Sequence, residues 1–184
     1  MATVPPNFLH LFSKKQKPYM KKFILFFAML AGFTSYAQPS HPNSPHDTLS
    51  NAHATVTYGR PSKKGREVFG GLEKYGSVWR VGADEATTIT FKSDVKFNGE
   101  AVKAGTYTLF AKLGEKEWTI ILNSKLGQWG AFSYEKNKAM DVAQTTVPVT
   151  KLDHVVEQLT LSFGKDNSLV IAWDQTQVTI PLSF

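Results

Sequence analysis

The sequence contains no cysteine, which excludes a disulfide framework, a thiolate metal site and a cysteine nucleophile. Arginine is nearly as scarce, because only Arg60, Arg66 and Arg80 stand among 21 basic residues. The longest apolar run, Phe23 to Phe33, is too short for the ~20 residues that a membrane-spanning helix needs. Beyond Ala37 no window of a dozen residues shows helical periodicity, and the best candidate, Tyr134 to Val142, is short and polar. No G-x-S-x-G elbow, H-E-x-x-H helix, P-loop or dinucleotide fingerprint occurs. What is present is 42% apolar and 12% aromatic residues, too much for a disordered chain and suited to one folded domain with a tail.

The net charge of +6 suggests nucleic acid until the charges are located. Lys14, Lys15, Lys17, Lys21 and Lys22 precede the apolar run, and Ser35-Tyr36-Ala37 follows it. Positive, apolar and small residues in that order predict a signal peptide over residues 1–37. Met20 as the start would give a more ordinary leader, which makes residues 1–19 candidates for untranslated sequence. Without those five lysines the rest is nearly neutral, so a nucleic-acid partner loses its support. The expectation is an exported protein, periplasmic or secreted, with no membrane span once the leader is removed.

Residues 38–51, rich in proline and serine, predict a flexible lead-in. From Ala52 the apolar pattern has period two, through Val56 and Tyr58; Ile89 and Phe91; Trp118, Ile120 and Leu122; Leu159, Leu161 and Phe163; and Val178, Ile180 and Leu182. Such alternation marks strands with one buried face. Asn98-Gly99 separates Val95–Phe97 from Glu100–Val102 and predicts a tight hairpin. Nine or ten short strands are expected, centred near residues 56, 79, 89, 96, 108, 120, 145, 159, 171 and 179. The expected fold is all-β, a jelly-roll-like antiparallel sandwich over residues 52–184. A small membrane barrel fits less well, since most runs are shorter than its 9 to 11 residues per strand.

All three arginines fall within residues 60–80, in a glycine-rich stretch with Tyr58, Tyr75 and Trp79. Guanidinium grips carboxylate, phosphate or sulfate through a planar fork that lysine cannot reproduce. Arg60, Arg66 and Arg80 are therefore candidate anion ligands, with Tyr58 and Trp79 as flanking walls. The plainer alternative pairs the arginines with Glu67, Glu73, Asp84 and Glu85 as scaffold. For catalysis, Asp84 and Glu85 could act as acid and base, Arg80 could stabilise negative charge, and His46 or His53 could shuttle protons. Adjacent strand residues face opposite ways, so that pair cooperates only if Gly82 turns the chain.

His41, His46 and His53 beside Asp47 have the residue types of a metal site but no standard ligand spacing, and no metal or cofactor is expected. His154 stands alone. Trp118 and Trp173 fall in strand runs and predict core. Trp129, in the loop Leu126-Gly127-Gln128-Trp129-Gly130, is the better candidate to meet a ligand.

At these residues the chain resembles a family of exported bacterial proteins known as domain of unknown function number 2911. The matching stretches are Ser44–Asp47, Tyr58–Pro61 with Lys64–Arg66, Phe69–Leu72, Val78–Arg80 leading to Gly82–Thr87, Ala104–Tyr107, Glu117-Trp118, Gln128–Gly130 and Trp173-Asp174. One departure is Asp84, an acid where asparagine is expected in that family's pattern. The resemblance implies an exported, largely β protein and implies no activity.

Together these readings favour a binding module for an anionic small molecule, a glycan or an envelope protein. The rivals are an envelope hydrolase using Asp84 or Glu85, and a purely structural protein whose arginines are internal ion pairs.

Overall fold

The computed structural model describes residues 44–184; the expected signal peptide and His41 lie outside the described residues. The fold is all-β and antiparallel, as the alternation predicts. The strands are β1 (His46–Ser50), β2 (Ala54–Gly59), β3 (Val78–Trp79), β4 (Thr88–Phe91), β5 (Val95–Phe97), β6 (Glu100–Val102), β7 (Gly105–Lys112), β8 (Glu117–Asn123), β9 (Asp141–Phe163), β10 (Leu169–Ile180) and β11 (Leu182–Ser183). One short helix, α1 (Tyr134–Asn137), runs into a 3-10 turn, Lys138–Met140.

The large sheet has the order β1-β2-β4-β7-β8-β9-β10, with β3 also paired to β7, and the small sheet is β11-β5-β6. The Asn98-Gly99 hairpin joins β5 to β6 with Phe97 opposite Glu100. Two long strands replace four expected short ones, since β9 takes in the centres near 145 and 159, and β10 those near 171 and 179. Between those two centres in β9 the polar residues Lys151, Asp153 and His154 interrupt the apolar pattern. There β9 bulges, with no β10 partner in register between Lys151 and Val156, and exposes most of its side chains before Leu159 and Leu161 return to the core.

The expected lead-in also changes. Residues 46–50 are not loop but the edge strand β1, paired with β2 from His46 opposite Gly59 to Ser50 opposite Thr55. Its period-two pattern is carried by Thr48, Ser50 and half-buried Leu49, too polar to register as a strand in sequence.

After β2 the chain crosses to the far half of β9. The Lys63 amide donates to the Glu157 carbonyl and the Leu159 amide to the Pro61 carbonyl, so the large sheet curls back toward the end of β2. Lys63 Nζ then reaches Asp174 Oδ1 at 2.9 Å, at a register shift in β10. The curled sheets enclose one apolar core, and the alternating residues named above from β2, β4 and β8 line it. Its densest part is aromatic: Trp79 stacks on Trp173 at 6.0 Å, and Phe69 meets Trp118 at 4.8 Å. On the opposite face of β7 and β8, Phe110 and Ile121 are covered by Tyr134 of α1.

Candidate functional site

Three segments converge beyond the end of β3. In the first, residues 67–73, the Glu73 amide donates to the Val68 carbonyl and the Gly70 amide to the Glu73 carbonyl. In the second, residues 80–86, Val81 and Asp84 are held at φ +55° and +63°. A left-handed β-branched residue costs about 1–3 kcal/mol, so tertiary packing imposes this path. The Thr87 hydroxyl donates to the Val81 carbonyl at 2.8 Å and helps to fix it.

The third segment is the loop 126–133. Buried Gln128 anchors it, donating to the Lys125 carbonyl at 2.9 Å and accepting from Asn137 at 3.1 Å. Second and third segments then zip together: Ala86 donates to the Gln128 carbonyl, Gly130 donates to the Asp84 carbonyl, and Glu85 stands opposite Trp129. Glycine is required at 130, where φ is +63° and an added Cβ would stand 2.9 Å from both Arg80 Nη1 and the Phe132 ring.

The three segments enclose a concavity of about 210 Å³ lined by Glu73, Val78, Trp79, Arg80, Ala131 and Phe132. Its polar groups are short of partners. Arg80 donates to the Asp84 carbonyl at 3.3 Å, and among the described residues no carboxylate forms an ion pair with it. Trp79 Nε1 is buried with no hydrogen-bond partner, a condition that native interiors avoid because it forfeits the solvation of the N–H. Burial pushes the Glu73 carboxyl up to about 7, against the pull of the Arg80 and Arg66 charges. Beside the concavity Phe132 is 84% exposed and Trp129 53%.

The sequence-predicted arginines do not act as one cluster. Arg60 is tied to the scaffold, with Nη1 at 3.2 Å from Asp47 Oδ2 and Nε donating to the Leu159 carbonyl. Arg66 is exposed and donates to the Ser62 and Lys63 carbonyls. Only Arg80 faces a concavity without an acid bound to it. The expected aromatic walls also move: Tyr58 and Trp79 are each 2% exposed, because β2 and β3 turn them into the core. The Tyr58 hydroxyl accepts the Leu161 amide, and burial raises its pKa. Trp79 reaches the concavity only as lining.

Asp84 and Glu85 are engaged separately by the N-terminal segment. Asp84 Oδ2 accepts the Ser44 amide at 2.9 Å, while His46 Nε2 meets Glu85 Oε2 at 3.2 Å. His46 and Glu85 border a second concavity of about 350 Å³ with Thr57, Tyr58 and Thr88. His53 stacks on Phe184 instead, at 4.6 Å. Among the described residues no group of three or more His, Asp or Glu is placed to hold a metal ion.

Sequence reasoning missed Glu73 as a site residue in its own right and missed Phe132 altogether. The available signals were a lone acid between Leu72 and Tyr75 directly after a Gly-Gly turn, and an aromatic in a loop that already carried Trp129.

The family model described as "Protein of unknown function (DUF2911)" matches residues 40–182, and the chain belongs to that family. Its span takes in β1, in agreement with the structure. No curated protein and no solved structure matches the chain. No helix of the described residues is long and apolar enough to cross a membrane.

Proposed function

We propose that this is an exported, non-enzymatic binding module of the bacterial envelope, and that it holds an anionic or carbohydrate-like group, or an acidic segment of an envelope partner, at Arg80. The observation that carries the reading is a partly buried guanidinium without an ion-pair partner, facing a concavity beside exposed Trp129 and Phe132. Leaving such a cation unpaired costs stability unless a ligand repays it. Arginine with flanking aromatics is also the usual composition of binding hot spots. Arg80→Lys is expected to weaken binding of acidic glycans or peptides at least about tenfold, with a melting temperature close to wild type. Equal affinity in both proteins would remove the reading.

The hydrolase alternative is favoured by one observation, the His46–Glu85 contact at the mouth of the second concavity. It requires protein-dependent turnover of an envelope polymer or ester that Glu85→Gln abolishes without unfolding the chain.

A further inference from the structure

The concavity of Glu73, Trp79 and Arg80 is specific about the charge and shape of what it can hold. At about 210 Å³ it is smaller than the roughly 300–1,000 Å³ pockets that enclose whole ligands, so it takes one functional group of a larger molecule. Three polar groups line it, and each lacks something. The Arg80 fork has N–H donors to spare, the Trp79 indole N–H has no acceptor, and the Glu73 carboxyl has no side-chain partner among the described residues. The remaining lining residues, Val78, Ala131 and Phe132, are apolar. The free donors of Arg80 and the Glu73 carboxyl therefore share one lining, with the Trp79 ring behind them and its N–H closed off from solvent.

Resting on the binding reading above, we propose that this concavity takes a single carboxylate, gripped by Arg80 against the Trp79 ring, with Glu73 sharing a proton with it. A planar carboxylate matches the guanidinium fork. The charge balance selects against a dianion: with Glu73 neutral the lining carries one positive charge, which a monoanion cancels. A phosphate monoester dianion would leave excess negative charge in a partly desolvated place, and a tetrahedral sulfate monoester, though a monoanion, lacks the planar match to the fork.

Two carboxyl groups in contact cannot both be ionised cheaply, so binding requires Glu73 in its neutral form. Among the described residues the charges that act appreciably on Glu73 are Arg80, across the concavity, and Arg66, on its own loop, and both draw its pKa down; burial outweighs them and leaves it at about 7. Affinity should thus be flat below neutrality, down to the ligand's own pKa. Above neutrality it should fall as Glu73 ionises, and binding there should take up a proton. Between pH 6 and pH 8 the expected loss is about tenfold.

Calorimetric titration with phenylacetate, its neutral isostere phenylacetamide and phenyl phosphate, at pH 6 and pH 8, tests this on the folded protein. Phenylacetate is expected to bind at least about tenfold more tightly than either analogue at pH 6, and to weaken about tenfold at pH 8. Glu73→Gln, nearly isosteric and uncharged at both pH values, should lose the pH dependence. If phenyl phosphate binds as well, or wild-type affinity is unchanged at pH 8, while Arg80→Met still abolishes binding, the carboxylate assignment is wrong and the anion-binding reading stands. If Arg80→Met leaves binding unchanged, or none of the probes, glucuronate included, binds at millimolar concentration, both are overturned.

Discussion

Single side chains divide here into those that the fold uses and those that it leaves short of partners. Arg60 and Arg80 are the same residue type twenty positions apart, yet one is held by Asp47, Leu159 and Thr160 and the other has one long bond to a carbonyl. Nothing in the sequence separates them, because Leu159 and Thr160, which hold Arg60, come from a strand about a hundred residues away. Glu73 permits a prediction of its own. Its carboxyl is raised from 4.5 to about 7 in the folded protein, so the folded state binds the proton more tightly than the unfolded one. The stability this proton confers is complete below about pH 4.5 and is lost as pH rises through 7. Glu73→Gln is therefore expected to raise the melting temperature at pH 8, by an amount worth on the order of 1–2 kcal/mol after discounting solvent screening, and to change it little at pH 5. Thermal melts at the two pH values check this, and an equal shift at both would contradict it.

At the scale of elements, the strands were legible and their connections were not. Period-two burial holds for β2, β4 and β8 wherever one face meets the core. In β1 the period is kept by polar and half-buried residues, and in β9 it lapses between Lys151 and Glu157, where the strand bulges away from its register with β10 and most side chains are exposed. Tyr134 to Val142, the best helical candidate in the sequence, forms only α1 and the 3-10 turn before β9 begins at Asp141. Trp129 was legible as a loop aromatic, whereas its neighbours at the site arrive through the bridge from Glu85. Gly130→Ala is expected to cost about 1–2 kcal/mol from the left-handed backbone alone and, by displacing the Arg80 guanidinium and the Phe132 ring, to lower anion affinity more than its stability cost explains. Denaturation and titration of the same variant separate the two effects.

For the whole molecule, the curl of the large sheet is what brings distant parts of the chain together. The segment Pro61–Lys63 fastens the end of β2 to β9, and Lys63 pairs with Asp174 with both side chains less than one-fifth exposed. Lys63→Met should leave the Asp174 carboxylate uncompensated and cost about 3 kcal/mol in urea denaturation; Lys63→Met with Asp174→Asn should recover much of that loss. A cost near zero for the single variant would mean that the curl does not depend on this tie. The all-β class follows from the alternation, whereas the fold begins before the expected Ala52, since β1 and the family match over residues 40–182 both take in the expected lead-in. The site could not be read in the same way, since it joins residues 73, 79, 80 and 132 through non-local pairing.

The four tryptophans give four indole N–H signals in a ¹H–¹⁵N spectrum, and only Trp79 Nε1 is buried without a partner among the described residues. Titration with phenylacetate at pH 6 is predicted to move the Trp79 signal as the carboxylate seats in the concavity that this ring lines, to leave Trp118 and Trp173 in place, and to fail in Arg80→Met. A Trp79 signal that stays fixed at saturating ligand would contradict the assignment of this concavity as the binding site.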